Sequence, residues 1–274
     1  MIKESLLRRK IPLLLVLALT FGVLGGLADY FGPAVRVDEN ALHPPAHAQP
    51  ETTGAPAPAV SAAGAVLIRA DTGAILFEKE AEKRLYPAST TKIMTALVVL
   101  ETLDRLSLGP DSRIIVPAEA AGLEGSSVYL KAGEEISMEE LLYGMMLHSG
   151  NDAALALAIS LCGSEQAFVR QMNCRAEKLG LTGTHFANPH GLDSGENYAT
   201  ALDLARLAQA ALRNALFREV VSTKTITCAG RTLTNHNKLL WRYDGCIGVK
   251  TGYTKHAGRI LVSAASLPEW SIMP

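Results

Sequence analysis

The sequence predicts an α+β fold: one antiparallel sheet built from both ends of the folded part of the chain, around a helical middle subdomain. Three observations carry that prediction. Apolar β-formers bracket an Asp71-Thr72-Gly73 turn over residues 66–78, as in a hairpin. Ala- and Leu-rich helical patterns then fill the interval to about residue 212. Beyond it, β-prone segments return at residues 220–227, 231–234, 247–253 and 259–265.

Before the first hairpin lies a segment of different character. Lys3, Arg8, Arg9 and Lys10 against Glu4 give the first ten residues a net charge of +3. An uncharged apolar run over residues 11–28 follows. A basic flank, an apolar run and then small residues form the pattern of an export signal. Two cleavage points are open: after Ala28, or after Ala48 in Ala46-His47-Ala48. Uncleaved, the 18-residue run is also long enough to anchor the chain in the cytoplasmic membrane. Residues 42–63 are rich in Pro, Ala and Thr and read as an extended linker. The expected organisation is therefore an export signal or anchor with the start of the linker (1–48), the rest of the linker (49–63), a folded domain (64–266) and a divergent tail (267–274). The body of the protein is expected outside the cytoplasmic membrane.

Within the folded part, residues 93–100 are apolar on nearly every face, so a helix there must be largely buried. Helices follow over 139–147, 152–161 and 165–179. Ser137 and Glu140 stand at capping-box spacing, and Thr200 with Asp203 opens a further helix in the same way. The chain has 26 Lys+Arg against 27 Asp+Glu, so no basic excess exists to neutralise nucleic-acid phosphates.

Three short motifs carry chemistry. Ser89-Thr90-Thr91-Lys92 enters the buried helix, and residues three apart on a helix share a face. A serine hydroxyl is a weak nucleophile that needs an adjacent base. A lysine can be that base when burial depresses its pKa. The helix N-terminus also offers backbone N–H groups to a developing oxyanion. Ser149-Gly150-Asn151 lies between two predicted helices, and Lys250-Thr251-Gly252 lies on a predicted strand. Each motif alone is weak. Together, in this order, they form the signature of penicillin-binding proteins and class A β-lactamases.

The likeness extends through Tyr86-Pro87-Ala88-Ser89, His148-Ser149-Gly150-Asn151-Asp152, Asn188-Pro189-His190-Gly191-Leu192, Asn235-His236-Asn237-Lys238 and Gly248-Val249-Lys250-Thr251-Gly252-Tyr253. Over about residues 62–266 the chain resembles the low-molecular-mass penicillin-binding proteins that act as serine-type D-alanyl-D-alanine carboxypeptidases, most strongly the branch found in spore-forming and related Gram-positive bacteria. The resemblance implies a β-lactamase/transpeptidase-like catalytic domain over 64–266, acting on peptidoglycan stem peptides and acylated by β-lactam antibiotics. It implies that Ser89 attacks the carbonyl between the last two D-alanines and that Lys92 takes its proton. Ser149 would relay the proton to the leaving D-alanine, and Asn151 would bind the substrate amide. Lys250 would hold Ser149, and Thr251 would contact the terminal carboxylate. Gly252 and Tyr253 would complete the substrate strand, with the Ser89 and Tyr253 N–H groups as oxyanion hole. No metal or cofactor is implied.

Other candidates carry bland expectations. The spacings of His148, His185, His190 and His236 match no zinc template. Hydrogen bonding around the site is expected of His148 and His190, and packing or exposure of the others. Cys228–Cys246 is the more plausible disulfide pair, with unpaired thiols equally open. Glu134, Glu135, Glu139 and Glu140 read as a solvated face and first-turn helix charges. The resemblance fades at Ser266, so the C-terminal strand and helix of the family are expected to be missing, leaving an unpaired edge beside the last strand. A β-lactamase remains an alternative, although no Glu-bearing loop precedes Lys250 convincingly. So does an inactive penicillin-binding remnant or a non-catalytic wall-binding protein.

Overall fold

The computed structural model describes residues 14–18 and 57–266. In chain order the elements are β1 (Leu14–Ala18), β2 (Ala65–Arg69), β3 (Ile75–Lys79), α1 (Lys92–Leu106), β4 (Arg113–Ile115), β5 (Glu135–Ser137), α2 (Met138–Leu147), α3 (Asn151–Cys162), α4 (Glu165–Lys178), α5 (Ala201–Ala211), α6 (Ala215–Ser222), β6 (Thr225–Cys228), β7 (Arg231–Thr234), α7 (Leu239–Arg242), β8 (Cys246–Thr254) and β9 (Gly258–Ser266). The α+β expectation holds. One antiparallel sheet runs β3-β2-β1-β9-β8, joining the first hairpin to the last two strands.

Helix α1 is the spine of the helical half. Its residues Ile93, Met94, Ala96, Val99 and Leu103 are buried, because α2, α3, α4, α5 and α6 all pack against it. Helix α5 covers β1, β2 and β9, and α6 packs on β8. The sheet therefore ends, at β8, on the border of the helical half.

The structure bears on four expectations. Residues 14–18 of the apolar run are a strand, with Leu15 opposite both Arg69 of β2 and Ala265 of β9. A short, continuously apolar run carries no period that separates strand from helix. β9 is consequently paired on both sides, and the unpaired edge expected beside it is not found. The remainder of the region expected to act as an export signal, most of the expected linker and the tail lie outside the described residues. Second, residues 220–222 close α6 instead of opening a strand. Asn214 Oδ1 caps that helix by accepting from Phe217 N at 3.0 Å, and Phe217, Val220 and Val221 fall on its buried face.

Third, all four cysteines are free, the alternative left open beside a Cys228–Cys246 pair. Cys228 sits in the two-stranded β6–β7 sheet and Cys246 in the main sheet, so they are not neighbours on adjacent strands. Fourth, Ser137 forms the expected reciprocal box with Glu140, but Thr200 does not form one with Asp203. Thr200 Oγ1 accepts from Asp203 N, while the Asp203 carboxylate turns to Gly183 N and Thr184 Oγ1 at 2.9 and 2.8 Å. The β4–β5 pair was not foreseen; strands of three residues are too short to show alternation.

Candidate active site

Ser89 lies in a 3-10 turn, Ala88–Thr91, that runs into α1. Thr90 fixes the turn twice, with its N–H and its hydroxyl both donating to Pro87 O at 3.1 and 2.6 Å. In a 3-10 turn residues i and i+3 eclipse, so Lys92, the first residue of α1, comes directly over Ser89. Its Nζ stands 3.2 Å from Ser89 Oγ.

Lys92 is completely buried. Besides Ser89, its Nζ donates to Asn151 Oδ1 at 2.7 Å and to the His190 carbonyl at 2.5 Å. Those two oxygens can only accept, so a neutral amine spends both of its N–H groups on them. Its lone pair is then left facing the Ser89 hydroxyl, the geometry of a general base. Burial, reinforced by the charge of Lys250 and opposed by Asp152, holds the Lys92 pKa well below the ordinary lysine range.

Ser149 follows the C-terminal cap of α2 with φ 65°, a left-handed conformation uncommon outside glycine. Its Oγ accepts from Lys250 Nζ at 3.1 Å, and Lys250 also donates to the Thr251 carbonyl at 2.9 Å. Burial pulls Lys250 down to about 7. Asn151 opens α3, and its side-chain amide is engaged at both ends: Oδ1 by Lys92, Nδ2 with Glu124 O at 2.7 Å. Strand β8 is the outer strand of the main sheet, and it lies against the nucleophile turn. A Cβ on Gly252 would sit 3.2 Å from Ser89 N and 3.3 Å from Pro87 O, so only glycine passes there without crowding. Thr251 is half-buried, while Tyr253 points outward with the Arg259 guanidinium 6.0 Å from its ring centre. The structure thus gathers Ser89, Lys92, Ser149, Asn151, Lys250, Thr251 and Gly252 into one site, with Tyr253 at its rim.

Several supporting residues escaped the sequence reading. Buried Asp152 accepts from Ser127 Oγ, Val128 N, Leu130 N and Ala153 N, all between 2.6 and 3.1 Å. It pins the 124–130 loop beside Asn151. The opposite side of that loop is held by Arg231, whose Nε donates to Val128 O at 2.7 Å and whose two terminal nitrogens meet Glu134 at 2.7 and 2.8 Å. Glu134 is therefore a bracing residue, not part of a solvated face. Glu140 likewise accepts from Ser137 N and Ala229 N, tying α2 to the β6–β7 hairpin. Glu135 stays at the surface with Arg113.

The His190 ring accepts from Leu192 N at 3.2 Å and lies 3.5 Å from Glu165, in line with the expected hydrogen-bonding role. His148 instead faces the ring of His236, centres 5.2 Å apart. Among the described residues no group of three or more His, Cys, Asp or Glu is placed to hold a metal.

Residues 51–272 match the family model described as D-alanyl-D-alanine carboxypeptidase. The chain belongs to that family. D-alanyl-D-alanine carboxypeptidase DacF of Bacillus subtilis is 40% identical over 209 residues, covering 74% of this chain and 54% of that protein. The chain thus spans about half the length of this relative. Among solved structures, penicillin binding protein 6B from Escherichia coli superposes with a TM-score of 0.73 at 33% identity, covering 82% of this chain and 77% of that one. A Streptomyces DD-transpeptidase superposes with a TM-score of 0.70 at 33% identity, covering 77% and 92% respectively. The chain accordingly has the fold of these solved structures.

Proposed function

We propose that this chain is a serine-type D-alanyl-D-alanine carboxypeptidase that removes the terminal D-alanine from peptidoglycan stem peptides and is acylated by β-lactams. The observation that carries the reading is Lys92: fully buried, depressed in pKa and held by two carbonyl oxygens so that its lone pair faces Ser89 Oγ. Ser89 Oγ bonds to the penultimate D-alanine carbonyl carbon as its proton passes to Lys92 Nζ. The C–N bond then breaks, and the leaving amine takes a proton through Ser149, the hydroxyl joined to Lys250. Water hydrolyses the ester, regenerating Ser89. Charged Lys250 with Thr251 supplies the counter-charge for the substrate carboxylate, and the Ser89 and Tyr253 N–H groups receive the oxyanion. Because Asn151 already holds Lys92 and the 124–130 loop, its work is to orient the base as much as to meet the substrate amide.

The basic, apolar N-terminus supports export and action outside the cytoplasmic membrane, with 64–266 as the catalytic domain. The test is sequential: label the chain with a fluorescent penicillin, then supply a D-alanyl-D-alanine peptide. Labelling plus release of D-alanine is expected. Labelling without release indicates an acylating remnant, and no labelling overturns the proposal. A second reading, transpeptidation, is favoured by the similarity to the Streptomyces enzyme. Adding an acceptor amine separates the two, since a transpeptidase diverts product to the amide.

A further inference from the structure

Loop 188–193 meets the catalytic centre at three consecutive residues. The Pro189 carbonyl accepts from Thr95 Oγ1 at 2.6 Å, and the His190 carbonyl accepts from Lys92 Nζ. Gly191, at φ +86°, presses so closely on the nucleophile turn that a Cβ there would lie 1.9 Å from Ala88 O. The loop's shape is set internally: Gly191 N donates to Asn188 Oδ1 at 2.7 Å, and Asn188 Nδ2 to Leu192 O at 3.1 Å.

At the far end of this loop Asp193 reaches across to the other half of the site. One carboxylate oxygen accepts from Thr254 Oγ1 at 2.8 Å, and the other lies 2.9 Å from His256 Nδ1. Thr254 is the last residue of β8, two beyond Gly252 and four beyond Lys250, and its Oγ1 also accepts from Ala257 N in the β8–β9 turn. The carboxylate therefore connects the loop that holds the base to the strand edge that faces Ser89. The His256 side chain is 73% exposed, and exposed ion pairs add little to global stability. The contact has a different use.

We propose that Asp193 is a positioning residue: its two-oxygen clasp on Thr254 and His256 sets the separation between the carbonyl that orients Lys92 and the β8 backbone beside Ser89. This rests on the acyl-transfer reading above. Small displacements of reacting groups cost rate steeply, whereas binding to the cleft depends on them less.

The test follows penicillin acylation in the full chain and resolves the limiting rate constant from the apparent dissociation constant. Wild type is measured first; if it does not acylate, the functional reading fails, not the clasp. Given an active wild type, Asp193→Ala and Thr254→Val are each expected to lower the limiting rate about tenfold, with the dissociation constant within about twofold. Thr254→Ser, which restores the hydroxyl, is expected to recover the rate, and the double variant should fall no further than either single one. The clasp is overturned if either single variant acylates at the wild-type rate. It is equally overturned if Thr254→Ser falls as far as Thr254→Val, or if the two losses multiply in the double variant.

Discussion

The helical half and the sheet edge each bring one buried lysine to the site, and the two are held differently. Lys92, at the head of α1, has two carbonyl acceptors and a serine hydroxyl, and burial next to a second cation drives its pKa far down. Lys250, on β8, has one carbonyl and one hydroxyl, and burial leaves it at about 7. Two like charges in one cavity disfavour each other, so the better-oriented amine is the one that stays neutral. In the proposed mechanism the pair divides into a base and a cation, and among the described residues no carboxylate is bonded to either amine. That division is what the following experiments can break.

The largest effect is expected of Ser89→Ala, which removes the hydroxyl that faces Lys92: penicillin labelling and peptide turnover should fall by about 10⁴-fold or more. Labelling that survives would sink the assignment of the nucleophile. Lys92→Ala should lower the acylation rate by about 10³-fold while the protein still melts cooperatively. If Lys250→Ala proved the more damaging to proton transfer, the roles of the two lysines would be reversed.

pH sharpens the same contrast. Lys250 loses its charge as pH rises through about 7. Thus kcat/KM toward a carboxylate-bearing peptide should decline there, and Lys250→Arg should remove the decline because a guanidinium stays charged. The consequence for stability has the opposite sense. Between about 7 and the ordinary lysine value of 10.5 the unfolded chain binds more protons than the native one at this position. Stability contributed by Lys250 therefore rises with pH across that window. Over it the wild-type melting temperature should rise relative to that of Lys250→Met; parallel curves would refute the low native pKa.

The smallest effect lies outside the cavity. Arg231→Ala releases Glu134 and the 124–130 loop, and should cost about 2 kcal/mol in denaturant unfolding with a lesser loss of acylation. An equal loss in Glu134→Ala would mark the pair as one brace.

Much of this contrast was legible in the sequence, for particular reasons. Ser89 and Lys92 are three apart, so local geometry alone joins them. Lys250 and Ser149 are 101 residues apart, and only the resemblance brought them together. Backbone partners were invisible in principle: the His190 carbonyl that orients Lys92 carries no side-chain signature, and the imidazole that drew notice is turned to Leu192 and Glu165 instead. Asp152 gives no distinct signal, because a carboxylate in the first turn of α3 already has a local explanation in the helix dipole. Residues 220–222 misled because a β-branched pair, Val220-Val221, outweighed the capping Asn214 six residues earlier.

Strand β1 has a consequence for how the sheet is joined. Leu14–Ala18 come from the first half of the apolar run over residues 11–28 and are hydrogen-bonded on both sides, to β2 and β9. The continuity of the sheet from β3 to β8 therefore rests on five residues drawn from far outside the hairpin and the C-terminal strands: without them β2 and β9 have no strand between them.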